Sequence, residues 1–443
     1  MMRKAVPMLS GWGRLSRPGR EVMSEDLRAL TEDAVLSRGL GRSYGDSSLP
    51  PPGHLDVATT VLADRILSFD ETSGVMRAEA GLGLHEINRL FLRRLWFTPV
   101  TPGTQYVTLG GMVAADVHGK NHHVEGTFGG HVTSLLLRVA DGRLVECGPE
   151  AEADLFWATV GGMGLTGHIL EVSFRMRRIP SPWILEERHR FPNLDALVEG
   201  LESSAKDWPF TVGWLDSLST GSSLGRGIVN RGRWAEPHEA PKTSPPSLRR
   251  ITVPFELPNW FLNPWNIRAF NAAIYHRHAR PRRGVVHPET FFYPLDKILK
   301  WNRIYGRRGF TQYQCVLPDS AGRGSVRRFL ETMARAEGVA SFLTVIKDCA
   351  AEGRGLLSFP CPGTSIALDL AVGPRTQTLI DELNEVVIAE GGRIYLAKDA
   401  FTRSEHFRQM EPRLERFLEV RRRWDPQVKI RSAQSVRVLG DPD

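Results

Sequence analysis

His118-Gly119-Lys120-Asn121-His122-His123 places three imidazoles and one amine in six residues. Gly110-Gly111 precedes this run and Gly129-Gly130 follows it. Titratable groups bracketed by backbone-permissive glycines mark a place where a ligand meets the main chain. A metal, a phosphate and a larger cofactor are the chemical candidates. His118 and His122 have helical metal-pair spacing, but no acidic or thiol ligand joins them, and the flanking glycines disfavour that helix. No metal is expected. A ligand-lining loop and a set of surface histidines remain open.

Three more segments carry candidate chemistry. Arg38-Gly39-Leu40-Gly41-Arg42-Ser43-Tyr44-Gly45-Asp46 can turn backbone N–H groups toward an anion. Its glycine spacing matches neither the dinucleotide fingerprint nor the Walker loop, and a plain turn-rich loop is the alternative. Thr101-Pro102-Gly103-Thr104 and Thr108-Leu109-Gly110-Gly111-Met112-Val113-Ala114-Ala115-Asp116 are rich in small residues. They offer either a backbone surface for a flat ring or pyrophosphate, or close strand packing. Tyr395-Leu396-Ala397-Lys398-Asp399 sets a lysine at the end of an apolar strand. It is either a solvated strand end or an amine whose pKa burial lowers, fit to act as a base or charge stabiliser.

A fifth segment, Leu257 to Pro288, holds no Asp or Glu. Arg268, Arg277, Arg280, Arg282 and Arg283 alternate there with Trp260, Phe261, Trp265, Phe270 and Tyr275. That mixture suits an anionic membrane surface or a lipid phosphate. Nucleic-acid binding and a buried aromatic segment with a solvated arginine edge compete with it. The net charge of +7 arises from 57 basic and 50 acidic residues, so one local patch suits it better than general nucleic-acid binding, which is not expected.

These segments need elements to position them. The first 180 or so residues read as short strands, tight turns and few helices. Strands are expected at Ala34–Ser37, Val75–Ala80 and Ile169–Met176, and a hairpin at Leu135–Cys147 around Asp141-Gly142. Leu84, Ile87, Phe91 and Leu95 have the spacing of an amphipathic helix, and Asp154–Thr159 reads as a brief one. Pro180 and Pro182 mark a boundary, and Pro237–Pro246 reads as a mobile loop. Strands at Phe310–Leu317, Ser341–Lys347 and Ser365–Val372 alternate with helices at Val326–Glu337 and Thr376–Ala389. The pattern predicts an α+β fold with an antiparallel sheet and helices on one face. Ser404–Trp424 reads as helical, with a start or kink at Pro412.

At 443 residues the chain suits two or three domains. Cys147, Cys315, Cys349 and Cys361 are scattered, so neither a disulfide framework nor a zinc site is expected. No apolar run has transmembrane length. Met1-Met2-Arg3-Lys4 leads into a short apolar stretch interrupted by Pro7, without a small-residue cleavage site. A cytoplasmic protein, soluble or peripheral at the membrane surface, is expected.

Taken in order, the first loop, the Pro-Gly-Thr and Gly-Gly segments, the histidine hexapeptide, Phe156-Trp157-Ala158-Thr159-Val160-Gly161-Gly162, Gln312-Tyr313-Gln314 and Ala397-Lys398-Asp399 resemble one family. It is the decaprenylphosphoryl-β-D-ribose 2′-oxidases, within the vanillyl-alcohol-oxidase (PCMH) type of FAD protein. The resemblance runs from about Gly11 to Arg437. It implies a two-part FAD-binding domain at 1–182 and 393–443, with an antiparallel-sheet substrate domain, 183–392, inserted between. It implies that the Ser37–Ser47 loop, through Arg38 to Asp46, and Thr108, Leu109, Gly110 and Gly111 hold the FAD pyrophosphate by backbone N–H groups. Gly103, Ala115, Asp116, Val117, His118, Ile169 and Tyr395 would line the rest of the cofactor. Lys398 and Tyr44 would be catalytic beside the sugar, and Lys120, Trp214, Gln312, Gln314, Lys347 and Ser365 would face substrate.

The implied reaction oxidises the 2′-hydroxyl of a polyprenyl-phosphate ribose to a ketone, with hydride going to the flavin. An NAD(P)H-dependent short-chain ketoreductase partner would complete the epimerisation to arabinose, and the 257–288 patch would touch the membrane. Related sugar oxidases carry a flavin-linking histidine in the first loop. Arg42 stands at about that place here, so non-covalent FAD is expected, with His118 as the formal alternative. Where mycobacterial members read Pro-Gly-Trp-Asn-Ile-Cys, this chain reads Pro362-Gly363-Thr364-Ser365-Ile366-Ala367. The thiol that covalent inhibitors attack is thus replaced by Ala367, and the substrate-side tyrosine of that family corresponds to Phe292. An O₂-using soluble sugar or alditol oxidase is the alternative enzyme. A non-catalytic lipid-phosphate binder is the alternative from another class.

Overall fold

The computed structural model describes residues 6–335, 341 and 343–443. The chain start Met1–Ala5, Phe342 of the expected Ser341–Lys347 strand and the last two positions of the expected Val326–Glu337 helix lie outside them.

Alternation of apolar and polar residues builds a five-stranded antiparallel sheet in the order Leu144–Cys147, Val132–Arg138, His168–Arg175, Val75–Glu79, Ile66–Phe69. Leu170, Val172 and Phe174 are buried on one face of its central strand. The Asp141-Gly142 turn closes the first hairpin, with Gly142 at φ 89°. Beside this sheet, Arg20–Met23, Asp56–Thr59 and Ser37–Arg38 form a parallel three-stranded sheet. The strand expected at Ala34–Ser37 is therefore only Ser37–Arg38, and it feeds directly into the first glycine loop. The helix Leu84–Phe91 buries Leu84, Ile87 and Phe91. It ends earlier than its apolar spacing suggests, because Leu92–Arg94 tightens into a 3₁₀ turn and Leu95 adopts φ 62°.

The second sheet has eight strands, all paired antiparallel. Their order is Arg282–Val286, Ile184–Phe191, Gly227–Trp234, Phe210–Leu215, Thr344–Cys349, Gly363–Ala371, Phe310–Pro318, Arg393–Ile394. Period-two geometry sorts its side chains. Tyr313, Cys315, Ile346, Ile366, Leu368 and Val229 join one apolar core with the helices Leu194–Asp207, Gly324–Arg335 and Thr376–Ala389. Gln312, Gln314, Lys347, Ala367, Trp214 and Asn230 line a cavity instead.

The C-terminal segment returns to the first part of the chain. Helices Ser404–Met410 and Leu414–Trp424 are separated at Pro412, as its missing N–H dictates. Arg431 and Ala433 donate backbone bonds to Val35 and Leu49. Pro237–Pro246 contains no helix or strand, but Trp183 donates to Thr243 O at 2.9 Å and the His287 ring meets Pro246 O at 2.9 Å. Among the described residues, no helix is long and apolar enough to cross a membrane.

Candidate active site

One cavity of about 930 Å³ lies between the two sheets' loops. Arg38, Gly39, Leu40, Gly41, Arg42, Ser43 and Tyr44 line it from the first glycine loop. Arg38 does so with its backbone, because its guanidinium turns away to Glu21 (2.8 Å), Ser48 and Ser10 O. Arg42 lies over Trp12 at 4.1 Å and near Tyr106 at 5.2 Å, where burial lowers its pKa and leaves Nε without a partner. Gly45 and Asp46 are not on the wall. A methyl on Gly45 would stand 2.0 Å from Asp399 O, so this glycine permits contact with the C-terminal turn rather than with a ligand. Asp46 pairs with Arg437 at 2.7 Å, and Arg437 also reaches Asp399 at 2.9 Å. Tyr44 N–H donates to Ala397 O at 2.9 Å. The first loop is thereby clamped to the turn that carries Lys398.

The second glycine segment is a short helix, Leu109–Ala114, not packed strand. Thr108 caps it by accepting from Gly111 N–H at 3.3 Å. The two loops touch here, since a methyl on Gly39 would stand 2.3 Å from Thr108 Oγ1. Thr108, Gly110, Gly111, Ala115, Val117, His118, Lys120, Ile169 and Tyr395 line the cavity, and Gly103 is exposed on its wall with open space about its Cα. Leu109 is instead a core residue. Asp116 also faces away. Fully buried at φ 39°, it accepts from Gly129 N–H at 2.9 Å and from the Ser358 hydroxyl, and so braces the chain before the hexapeptide.

The hexapeptide divides its imidazoles. His118 meets the Gln314 amide nitrogen at 2.9 Å through Nε2, which fixes Nε2 as acceptor and puts the proton on Nδ1. Burial keeps this ring well below the usual histidine pKa. His122 lies behind the wall in the short helix His122–Glu125, pushed down to about 4 by burial, and the His123 ring meets Trp208 O at 2.9 Å. Among the described residues, no group of three or more His, Cys, Asp or Glu is arranged to hold a metal. Lys120 donates to Phe291 O and lies 4.7 Å over the Phe291 ring, and burial lowers its pKa to about 7.

Near the first loop, Lys398 Nζ lies 4.1 Å over the Tyr44 ring. Lys398 follows the Arg393–Ile394 strand in a turn, its N–H donating to Tyr395 O at 2.9 Å. Burial lowers its proton affinity, the Asp369 carboxylate partly restores it, and Lys347 lowers it again. Burial raises the Tyr44 hydroxyl well above its usual pKa. Lys347 is itself lowered by burial. Gln312 donates to Asp369, and Gln314 donates to Ser365 Oγ at 3.1 Å. Ser365 therefore holds Gln314 rather than facing the cavity. Asp369, Arg437, Arg188 and Asn230 escape sequence reading. For Asp369 a signal exists: it is a carboxylate in the apolar run Ile366-Ala367-Leu368-Asp369-Leu370, in step with Ala367.

The fit to a dinucleotide is direct. Drug- and cofactor-sized sites run from about 300 to 1,000 Å³, and a mostly preformed wall of glycines admits close backbone contact. Open space at Gly103, and Arg42 Nε and His118 Nδ1 left without partners among the described residues, belong to such a site. Residues 27–148 match the FAD binding domain family. The protein is 34% identical to decaprenylphosphoryl-β-D-ribose oxidase of Mycolicibacterium smegmatis, covering 94% of each chain. It is 33% identical to an uncharacterized protein of Streptomyces coelicolor, covering 77% of this chain and 96% of that one. A shorter match, 28% identical over 25% of this chain and 20% of the other, joins it to a putative D-arabinono-1,4-lactone oxidase of Neurospora crassa. Cavity, glycine loops and FAD-binding segment define an FAD-dependent oxidoreductase. Within that class, the chain belongs to the decaprenylphosphoryl-β-D-ribose oxidase family.

Proposed function

We propose that the protein oxidises the 2′-hydroxyl of a polyprenyl-phosphate-linked pentose, ribose foremost, to the 2′-keto sugar. One observation carries this reading. A single cavity joins the glycine-loop wall to a sheet wall bearing Lys347, Gln312, Gln314 and Trp214, with Lys120 beside it, in a chain similar over 94% of its length to an oxidase named for that substrate.

Bound FAD would supply the acceptor for the hydride of the sugar C2′–H. Residues 38–44, Gly103, Thr108, Gly110, Gly111, Ala115, Val117, His118, Ile169 and Tyr395 would hold it, and all of them are wall residues. Gly45, Asp46, Leu109 and Asp116 support that wall from behind. Lys398 takes the proton of the 2′-hydroxyl, because burial makes its neutral amine accessible near neutral pH. Tyr44 receives the resulting ammonium on its ring face. Lys120 and Lys347 supply positive charge for the substrate phosphate, while Trp214, Gln312 and Gln314 orient the sugar, with Ser365 fixing Gln314.

The FAD is non-covalent, with Arg42 where related oxidases carry a linking histidine. Acid precipitation should leave colourless protein and a yellow supernatant. The FAD-binding part comprises 1–182 and the C-terminal return, and the substrate part lies between. Hydrogen bonding of Arg393–Ile394 to the eight-stranded sheet favours a boundary just after Ile394. A separate NAD(P)H-dependent short-chain ketoreductase reduces the keto product to the epimer. The 257–288 segment meets an anionic membrane surface: Trp260 and Trp265 are 71% and 78% exposed, and Ile274 and His278 of the same segment line the cavity.

The test is anaerobic flavin bleaching against prenyl-phosphate pentoses and free sugars. Bleaching confined to the lipid-linked pentoses is expected. Bleaching by free sugars with peroxide release in air would mark a soluble sugar oxidase, and no bleaching by any of them would discard the substrate class.

A further inference from the structure

Asp369 is a carboxylate with no exposed surface, set in the Gly363–Ala371 strand behind the cavity wall. Its side-chain partners are neutral donors: the Gln312 amide and the Tyr305 hydroxyl at 3.1 Å. Among the described residues no cation forms an ion pair with it. A buried carboxylate without an ion-pair partner is costly to keep. Lys398 is the cation whose field it feels. The groups facing Lys398 come from four further elements: Tyr44 from the first loop, Asp369 from its strand, Lys347 from Thr344–Cys349, and His118 from the hexapeptide. Asp399, next in sequence, is already engaged by Arg437 at 2.9 Å. Lys347 is a like charge, and buried His118 is neutral. Among the described residues Asp369 is thus the carboxylate whose charge offsets Lys398, and Lys347 opposes it.

We propose that Asp369 is a positioning residue of the reaction: the buried counter-charge that balances the Lys398 ammonium formed when Lys398 takes the substrate proton. It does not line the cavity and acts only through Lys398. Burial raises its pKa to about 6, while Gln312, Lys398 and Tyr305 oppose that rise, Gln312 and Tyr305 by donating to its two oxygens. The Tyr305 ring stacks on Phe310 at 4.1 Å, which holds that donor in place.

This inference rests on Lys398 being the proton acceptor, and the experiment separates the two. In the holoenzyme, reductive methylation of Lys398 with labelled formaldehyde is followed against pH by peptide mass spectrometry, beside anaerobic flavin reduction. Asp369→Asn is expected to lower the Lys398 labelling midpoint by about 1 pH unit, a tenfold gain in neutral amine below it, and to shift the flavin-reduction profile alike. Asp369→Glu keeps the midpoint near that of the unsubstituted protein. Tyr305→Phe, which removes a donor without removing the carboxylate, lowers it by less and serves where Asp369→Asn does not fold. An unchanged midpoint in the folded variants overturns the role of Asp369. Normal flavin reduction in Lys398→Ala overturns instead the reading of Lys398 on which it stands.

Discussion

Lys398 carries the strongest prediction. Its folded-state pKa is depressed, with burial the main cause and Asp369 opposing. As a base it must be neutral to work. Flavin reduction should therefore be slow at low pH, rise as pH passes through the depressed value, and level off above it. Stopped-flow bleaching across pH checks this, and a rate that falls over the same range would contradict base catalysis. Lys398→Ala should retain yellow FAD yet lose substrate-driven bleaching by at least about 100-fold, the usual scale of a lost general base. Ala367 makes a second, chemical prediction. It lines the cavity in register with Gln314, and the family resemblance implies that it stands at the reactive cysteine of mycobacterial members. Nitroaromatic inhibitors that need that thiol should form no adduct with this protein, and Ala367→Cys should restore one, read by intact mass. Both residues were visible in the sequence as residues. Their surroundings were not, since Asp369 and Tyr44 reach Lys398 from about 30 and 350 positions away.

The glycine loops depend on contacts between segments. Gly39 abuts Thr108, the cap of Leu109–Ala114. Gly39→Ala would push Thr108 off Gly111 N–H, at a cost of about 1–3 kcal/mol. The purified variant should carry less FAD per chain by absorbance ratio, with Gly103→Ala, which has open space, as the milder control. Arg437 bridges Asp46 and Asp399 and so locks the first loop to the Lys398 turn. Arg437→Ala leaves two buried carboxylates without their cation, and thermal unfolding should show a loss of about 3–5 kcal/mol. The sequence reading placed Asp46 and Asp116 on the cofactor. Each turns instead to a partner hundreds of residues away, Arg437 and Ser358, which no local spacing announces. Most strands and the Thr376–Ala389 helix were legible because their burial pattern is local. The Leu109–Ala114 helix was not, because two glycines at its start are poor helix formers and its cap and packing decide it.

Across the molecule, aromatic and basic exposure gathers on one side of the cavity. Trp260, Phe261, Trp265 and Phe270 are exposed around Pro264–Arg277, and Tyr275 of the same helix is buried, with Arg190 and Arg226 over its ring at 4.8 and 4.6 Å. Exposed and buried aromatic residues thus share one segment. Co-sedimentation with phosphatidylglycerol vesicles should exceed that with phosphatidylcholine vesicles, weaken with salt, and drop in a Trp260→Ala/Trp265→Ala double variant that keeps its FAD. Equal binding to both vesicle types would remove the electrostatic part of the proposal.

Residue chemistry and local periodicity lie in the sequence itself, and these were enough for the α+β class, the glycine loops and the family to which the chain belongs. Tertiary structure alone decided which of those residues face the cavity. A strand sends alternate side chains to opposite faces, so Gln312 and Gln314 reach the site while Tyr313 enters the core, and that direction depends on which sheet face the helices cover. Likewise, the proton affinity of Lys398 is a property of its burial and of a carboxylate on another strand. Desolvation and Coulombic fields act through space rather than along the chain.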